Sequence, residues 1–360
     1  MLKTIVQPLL AWYEENKREL PWRKEKNPYY IWVSEIMLQQ TRVEAARPYF
    51  ERFIVQLPTV EALAKCPEER LLKLWEGLGY YNRVRNMQKA ARCVMEEYDG
   101  RLPADAAALK RLPGIGDYTA GAIASITWDL PVPAVDGNVL RIWARLTASY
   151  DDILRQSVKQ RAVKELAAIM PKEGSGNLNQ AFMDLGSSLC VPKGQAGCER
   201  CPLAFACEAC KKGLVAELPV RKKPVPRRLE AYTVLIIRDG SRVAFRRRPG
   251  EGLLAGLYEF PNLQGHAAGE DVLAFLREQG LEPLYIERLE PAKHIFSHIE
   301  WRMEGYLVRV AALEDGHAGD WIFADIQTAE REYPLPAAFS AYTSYINIRL
   351  GPAGPGKEDD

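Results

Sequence analysis

The strongest constraint on this chain is a change in hydrophobic period part-way along it. Before residue 211 apolar side chains recur at helical spacing, as in Val6, Leu9, Leu10 and Tyr13 and again in Leu71, Leu74, Trp75 and Leu78. Breaks such as Leu57-Pro58, Cys66-Pro67, Gly77-x-Gly79, Leu112-Pro113-Gly114 and Leu130-Pro131 cut this pattern into short helices. Residues 211–230, with three prolines and seven basic residues, read as a linker. From Ala231 the pattern turns strand-like: Tyr232–Arg238 and Arg242–Arg247 predict a hairpin around Asp239-Gly240. Asp271–Gln279 predicts a helix, Lys293–Val310 a strand pair or one bent strand, Trp321–Ala324 a strand, and Ala337–Leu350 a last helix. The expected class is multidomain, an all-α domain followed by an α/β (α+β) domain. A length of 360 residues agrees with two or three domains.

Charge divides along the same line. Residues 1–228 carry 35 basic and 26 acidic side chains, +9; the remainder carries 13 and 21, −8. A basic first half suggests a polyanionic partner, although uneven solvated charge is the plainer reading. All four histidines lie at or beyond His266, so the first 265 residues hold no Ser-His triad, Cys-His pair or His-ligated zinc of their own. Chemistry there rests on carboxylates, Tyr, Lys or Cys. No apolar run approaches the ~20 residues of a membrane span, and the acidic N-terminus lacks a signal-peptide cleavage site. We therefore expect no membrane partner.

Three motifs carry chemistry. Leu112-Pro113-Gly114-Ile115-Gly116 separates two predicted helices, and its two glycines permit a tight turn whose N–H groups point outward at a phosphate. With Tyr118-Thr119-Ala120 following, it resembles the helix-hairpin-helix of DNA repair glycosylases. Glu35 lies between Ile31 and Leu38 on one helical face, where a carboxylate is costly unless paired or protonated. Keeping it protonated near pH 7 takes a rise of roughly 3 units, within reach of desolvation. Asp136 precedes a helical segment at Val139, Trp143 and Leu146 and so stands at an N-cap, where backbone N–H groups favour the anion. Alone, each acid is more simply structural. Together they supply what N-glycosidic cleavage needs, a proton for the leaving base and an anion for the oxocarbenium-like sugar. Finally, Cys190-x7-Cys198-x2-Cys201-x5-Cys207 offers four thiolates without a nearby His, fitting either zinc or a [4Fe-4S] cluster, with Cys210 in reserve.

Assembled, the chain resembles the adenine DNA glycosylases of the MutY type over nearly its whole length. The matching segments are Leu20-Pro21-Trp22-Arg23, Trp32 to Thr41, Gly77-Leu78-Gly79-Tyr80-Tyr81, Leu112 to Ala120, and Val135-Asp136-Gly137-Asn138-Val139. The resemblance implies excision of adenine opposite 8-oxoguanine or guanine in duplex DNA by a cytoplasmic, bacterial, nucleoid-associated monomer. It implies a helical catalytic domain over 1–212, with a six-helix barrel module about 22–128 and a cluster module from 1–21 plus 129–212. A linker over 213–230, a Nudix-like lesion-recognition domain over 231–350 and a disordered tail over 351–360 complete it. Glu35 and Asp136 would be catalytic, with Tyr118 and Asn138 supporting Asp136. Arg18, Leu20, Trp22 and Arg23 would wall the base pocket. Gln40, Thr41, Tyr80, Gly114 and Gly116 would meet DNA, with Gln40 and Tyr80 wedging into the vacated duplex. Phe296, Ser297 and His298 would read the oxidised guanine, and Cys190, Cys198, Cys201 and Cys207 would hold a [4Fe-4S] cluster.

Two positions refine that expectation. Relatives that also cut the backbone carry at position 118 a lysine able to form a Schiff base; Tyr118 implies a monofunctional enzyme. Leu276-Arg277-Glu278-Gln279-Gly280 keeps only a remnant of a Nudix box, which disfavours nucleotide hydrolysis. The chain departs from the family in a first cysteine gap of seven residues rather than six, and in Gln180 where some members have Glu. The alternatives are a thymine or oxidised-pyrimidine glycosylase of the endonuclease III type and a non-catalytic lesion-binding protein.

Overall fold

Capping residues and short turns set the helices of the first two hundred residues. In a computed structural model that describes residues 2–222, 226–313 and 317–351, the chain runs through α1 (Val6–Asn16), α2 (Pro28–Leu38), α3 (Val43–Gln56), α4 (Val60–Lys65), α5 (Glu68–Leu74) and α6 (Asn82–Glu97). It continues through α7 (Ala106–Arg111), α8 (Asp117–Trp128), α9 (Gly137–Thr147), α10 (Gln156–Ala167), α11 (Ser175–Ser188) and α12 (Glu208–Lys211). Asn27 starts α2 by accepting the N–H groups of Tyr29 and Tyr30, and Asp105 starts α7 by accepting that of Ala108.

By contacts the chain divides into two units. One takes Met1–Lys65 and Arg85–Lys223, the other Cys66–Val84 and the chain from Pro224. In the first, a core gathers α1, α9, α10, α11 and the turn around Leu203–Ala206, with Cys190, Cys201 and Cys207 packed against it. Helix α11 approaches α8 closely because Gly176 has no side chain: a Cβ there would lie 2.6 Å from the Ser125 carbonyl oxygen. Asp129, in a left-handed conformation past the end of α8, accepts the N–H groups of Gly174 and Gly176 at 2.7 and 2.9 Å and so caps α11.

The expected linker is shorter than composition suggests. Leu218 is buried, its carbonyl accepts Arg145 Nε at 2.9 Å, and Ile153 N–H reaches the Val220 carbonyl. This apolar residue ties the first part of the stretch to the helical unit. The first strand then begins at Arg228, ahead of the expected Tyr232.

The second unit contains an eight-stranded sheet: β1 (Arg228–Asp239), β2 (Arg242–Arg247), β3 (Tyr258–Glu259), β4 (Asn262–Gln264), β5 (Pro283–Ile295), β6 (Ile299–Val310), β7 (His317–Ala318) and β8 (Trp321–Ala324). Its main path is β5-β6-β1-β2-β8-β7, with β1 and β6 parallel over twelve residue pairs. Thr233–Ile237 is continuously buried because both faces of β1 are covered. Val234 and Ile236 enter one core, Leu235 and Ile237 the other. Helix α13 (Gly269–Glu278) covers the second face. The expected strand pair at Lys293–Val310 is a hairpin reaching back to Pro283, with Phe296-Ser297-His298 as its turn. The last helix is not continuous. Residues 337–346 form two 3-10 turns around one four-residue helix, consistent with aromatic and β-branched side chains at 342–346 and a left-handed Asn347. Of the expected disordered tail, residues 352–360 lie outside the described residues.

Candidate active site

A cleft of about 750 Å³ in the helical unit collects every predicted catalytic and base-pocket residue. Arg18, Leu20, Trp22, Arg23, Glu35, Thr41, Tyr118, Asp136 and Asn138 all line it. Gln40, Tyr80, Gly114, Gly116 and the 296–298 turn are not among its lining residues. Gln180, singled out in the sequence as a departure from the family, also faces it from α11, as does Met183, which no sequence pattern reveals.

Glu35 reaches the cleft from α2, where its neighbours on the helix are buried. It is 4% exposed, and its Oε2 has no hydrogen-bond partner. Burial pushes its carboxyl up to about 7; a hydrogen bond from Tyr118 and the charge of Arg23 oppose the rise, and the charge of Asp136 adds to it. A carboxyl titrating there carries a transferable proton at neutral pH.

Asp136 is the N-cap of α9. Its Oδ1 accepts the N–H groups of Asn138 and Val139, both at 2.8 Å, and its Oδ2 accepts Asn138 Nδ2 at 2.9 Å. Asn138 is held in turn, because Arg141 Nη1 donates to its Oδ1 at 3.0 Å while Arg141 Nε donates to the Cys190 carbonyl at 2.9 Å. The loop entering Asp136 is fixed by buried Asn179, which accepts Ala134 N–H at 3.0 Å and donates to the Val132 carbonyl at 2.9 Å. Burial first, then the charges of Glu35 and Asp136, raise the Tyr118 phenol far above its ordinary value, so it stays a neutral donor.

In the hairpin before α8, the Ile115 N–H closes back on the Leu112 carbonyl at 3.2 Å. Gly116 caps α8 without a side-chain hydrogen bond, and Gly114 takes φ +79° with its α-carbon face against Asn86, where a Cβ would lie 2.8 Å away. Both expected wedge residues have left-handed backbones, Gln40 at φ 60° and Tyr80 at φ 49°. Such strain in non-glycine residues concentrates at functional sites. In the second unit Tyr80 is 54% exposed, and its hydroxyl meets Ser297 Oγ at 3.2 Å. Phe296 packs edge-on against Trp301 and His294, while Ser297 and His298 are exposed.

Five cysteines, Cys190, Cys198, Cys201, Cys207 and Cys210, line one apolar cavity in the helical unit. Arg145 donates to Cys190 Sγ at 3.1 Å. Burial raises the thiols of Cys198, Cys201 and Cys207, that of Cys201 to about 12, and the neighbouring cysteines add to the rise. Thiolates persist in such a place only with compensating positive charge among them. Among the described residues no three His, Cys, Asp or Glu side chains are grouped to hold a single ion. The candidate ligands in this cavity are cysteine sulfurs alone and Arg145 donates to one of them, a donor set that fits an iron–sulfur cluster, which needs thiolates and hydrogen bonds to sulfur.

The match to known proteins is extensive. Residues 33–168 match the HhH-GPD superfamily of base excision DNA repair proteins, and residues 232–344 match the NUDIX domain. Adenine DNA glycosylase of Rattus norvegicus is 32% identical over 357 residues, covering 83% of this chain and 69% of that protein. That of Buchnera aphidicola subsp. Acyrthosiphon pisum is 32% identical over 315 residues, covering 86% and 87%. The chain belongs to the adenine DNA glycosylase family. Among solved structures, a thermostable thymine-DNA glycosylase superposes with a TM-score of 0.53 at 25% identity, covering 58% of this chain and 96% of that one. Endonuclease III in a non-covalent DNA complex gives 0.51 at 25% identity, covering 59% and 96%. A helical DNA glycosylase domain followed by a Nudix-like domain is thus the family architecture of this base excision repair enzyme. No helix among the described residues is long and apolar enough to cross a membrane.

Proposed function

We propose that the protein hydrolyses the N-glycosidic bond of adenine mispaired with 8-oxoguanine or guanine in duplex DNA. The observation that carries this reading is a buried carboxyl titrating near 7 in the same cleft as an N-capping aspartate. Adenine, turned out of the duplex, enters the cleft beside Leu20, Trp22 and Arg23. Glu35 passes its proton to the departing base. As positive charge develops at the anomeric carbon, Asp136, held by two backbone N–H groups and Asn138, stabilises it. Glu35, now ionised, takes a proton from the attacking water.

Tyr118 cannot form a Schiff base, so strand cleavage is not part of the reaction. Tyr118→Lys should create adducts that borohydride traps; a variant giving none would weaken that division of labour. The Ser297 hydroxyl at the hairpin tip suits either edge group that oxidation adds to guanine, donating to O8 or accepting from N7–H. Phe296 and His298 flank it, and Tyr80 stands beside it. Cys190, Cys198, Cys201 and Cys207 would hold a [4Fe-4S] cluster, which supplies a fixed anchor for the chain between α11 and α12.

A panel of duplexes tests the whole. Strand breaks after hot alkali should appear only at adenine, and fastest opposite 8-oxoguanine. Thymine release would favour the endonuclease III type of reaction, and tight binding without any base release would make the protein a lesion binder.

A further inference from the structure

Helix α11 presents to the cleft wall a carboxylate that the reaction above leaves unused. Asp184 is 2% exposed. Its Oδ1 accepts Arg18 Nε at 2.9 Å, Arg18 Nη2 at 2.5 Å and Arg23 Nη2 at 3.1 Å, and its Oδ2 accepts Arg23 Nη1 at 2.7 Å. The two arginines come from the stretch between α1 and α2, whose regular structure is a single turn at Pro21–Arg23. Without a fixed partner, side chains on such a stretch would sample many rotamers.

We propose that Asp184 is a positioning residue that locks Arg18 and Arg23 into the base-pocket wall and cancels one of their two charges, so that Glu35 keeps its proton until adenine arrives. This rests on Glu35 as the general acid. The groups acting on Glu35 are Tyr118 from α8, Arg23 from the turn and Asp136 at the start of α9; Arg18, Arg42 and Glu44 also line the cleft. Asp184 itself faces Arg18, Arg23 and Tyr13, over whose ring Arg23 lies at 5.7 Å. Burial works to raise the Asp184 carboxyl, yet the hydrogen bonds and charges of Arg23 and Arg18 outweigh it and hold it below the usual range. The carboxylate is therefore a permanent counter-charge. Arg23 already draws the Glu35 carboxyl down, and removing its counter-ion would strengthen that pull.

Single-turnover adenine release, measured across about pH 5 to 9, tests this. The wild-type rate should fall as pH climbs through the titration of Glu35. In Asp184→Asn the midpoint of that fall should move to lower pH by about half a unit or more, and adding Arg23→Gln should return it towards wild type. Thermal melting monitors the fold. A folded Asp184→Asn protein with an unmoved midpoint would overturn the proposal. Should Asp184→Asn not fold, Arg23→Gln alone decides: its midpoint should rise, and one that stays or falls refutes the charge balance. A wild-type profile flat across neutrality would take down the Glu35 assignment itself, and this proposal with it.

Discussion

At Glu35 the proposed activity and the stability of the fold pull against each other. In the unfolded chain its carboxyl titrates near 4.5 and in the folded protein near 7. Between those values the native state binds a proton that the unfolded chain has released, so stability falls as pH rises through that window. The loss is on the order of 3 kcal/mol above pH 7 and vanishes below about pH 4.5. Glu35→Gln should therefore abolish base release, keep lesion binding, and melt at higher temperature than wild type at pH 8; an unchanged or lower melting temperature at that pH would contradict the buried acid. The placement of Glu35 among Ile31 and Leu38 is legible in local sequence, and so is the Asp136 cap, because both depend on neighbours within four residues. Asp184 is not. Its meaning comes from Arg18 and Arg23, more than 150 positions away, and no helical period announces such a partner.

Among elements, the hairpin of β5 and β6 and the pair α8–α11 carry the most consequence. The hairpin was legible only in part, since β5 is an edge strand with an exposed, highly charged sequence that lacks clean alternation. Its tip is where Ser297 stands. Ser297→Ala should lower the preference for 8-oxoguanine over guanine opposite adenine, read as a ratio of single-turnover rates, while leaving excision from plain guanine mispairs near normal. An unaltered ratio would remove the hydroxyl from recognition. At the other pair, Gly176→Ala places a methyl 2.6 Å from a backbone carbonyl that cannot swing aside. It should destabilise by about 1–3 kcal/mol and, by displacing α11 with Gln180 and Asp184, slow base release. Denaturant midpoints together with rates check it. The discontinuous last helix shows the opposite failure of sequence reading, in which an apolar stretch of helical length was claimed by tertiary packing of Phe339, Tyr342 and Ile346 against the sheet.

At the scale of the whole molecule, the five-cysteine cavity predicts a yellow-brown protein with about four irons per chain, read by iron assay and visible absorption. A colourless, active protein holding zinc alone would reverse the cluster assignment. The change of hydrophobic period announced two architectures, but not which short segments each would claim. Cys66–Val84, helical in pattern, packs with the sheet-bearing unit for reasons that lie in paired polar groups rather than in periodicity. Buried Glu76 accepts the Leu335 N–H at 2.7 Å, and Lys73, paired to Glu76 at 2.9 Å, donates to the Tyr333 carbonyl at 3.2 Å. The loop that ends in Tyr80 is thereby riveted to the same frame as Ser297. If Tyr80 wedges and Ser297 reads as proposed, a change that displaces this shared frame should impair both together.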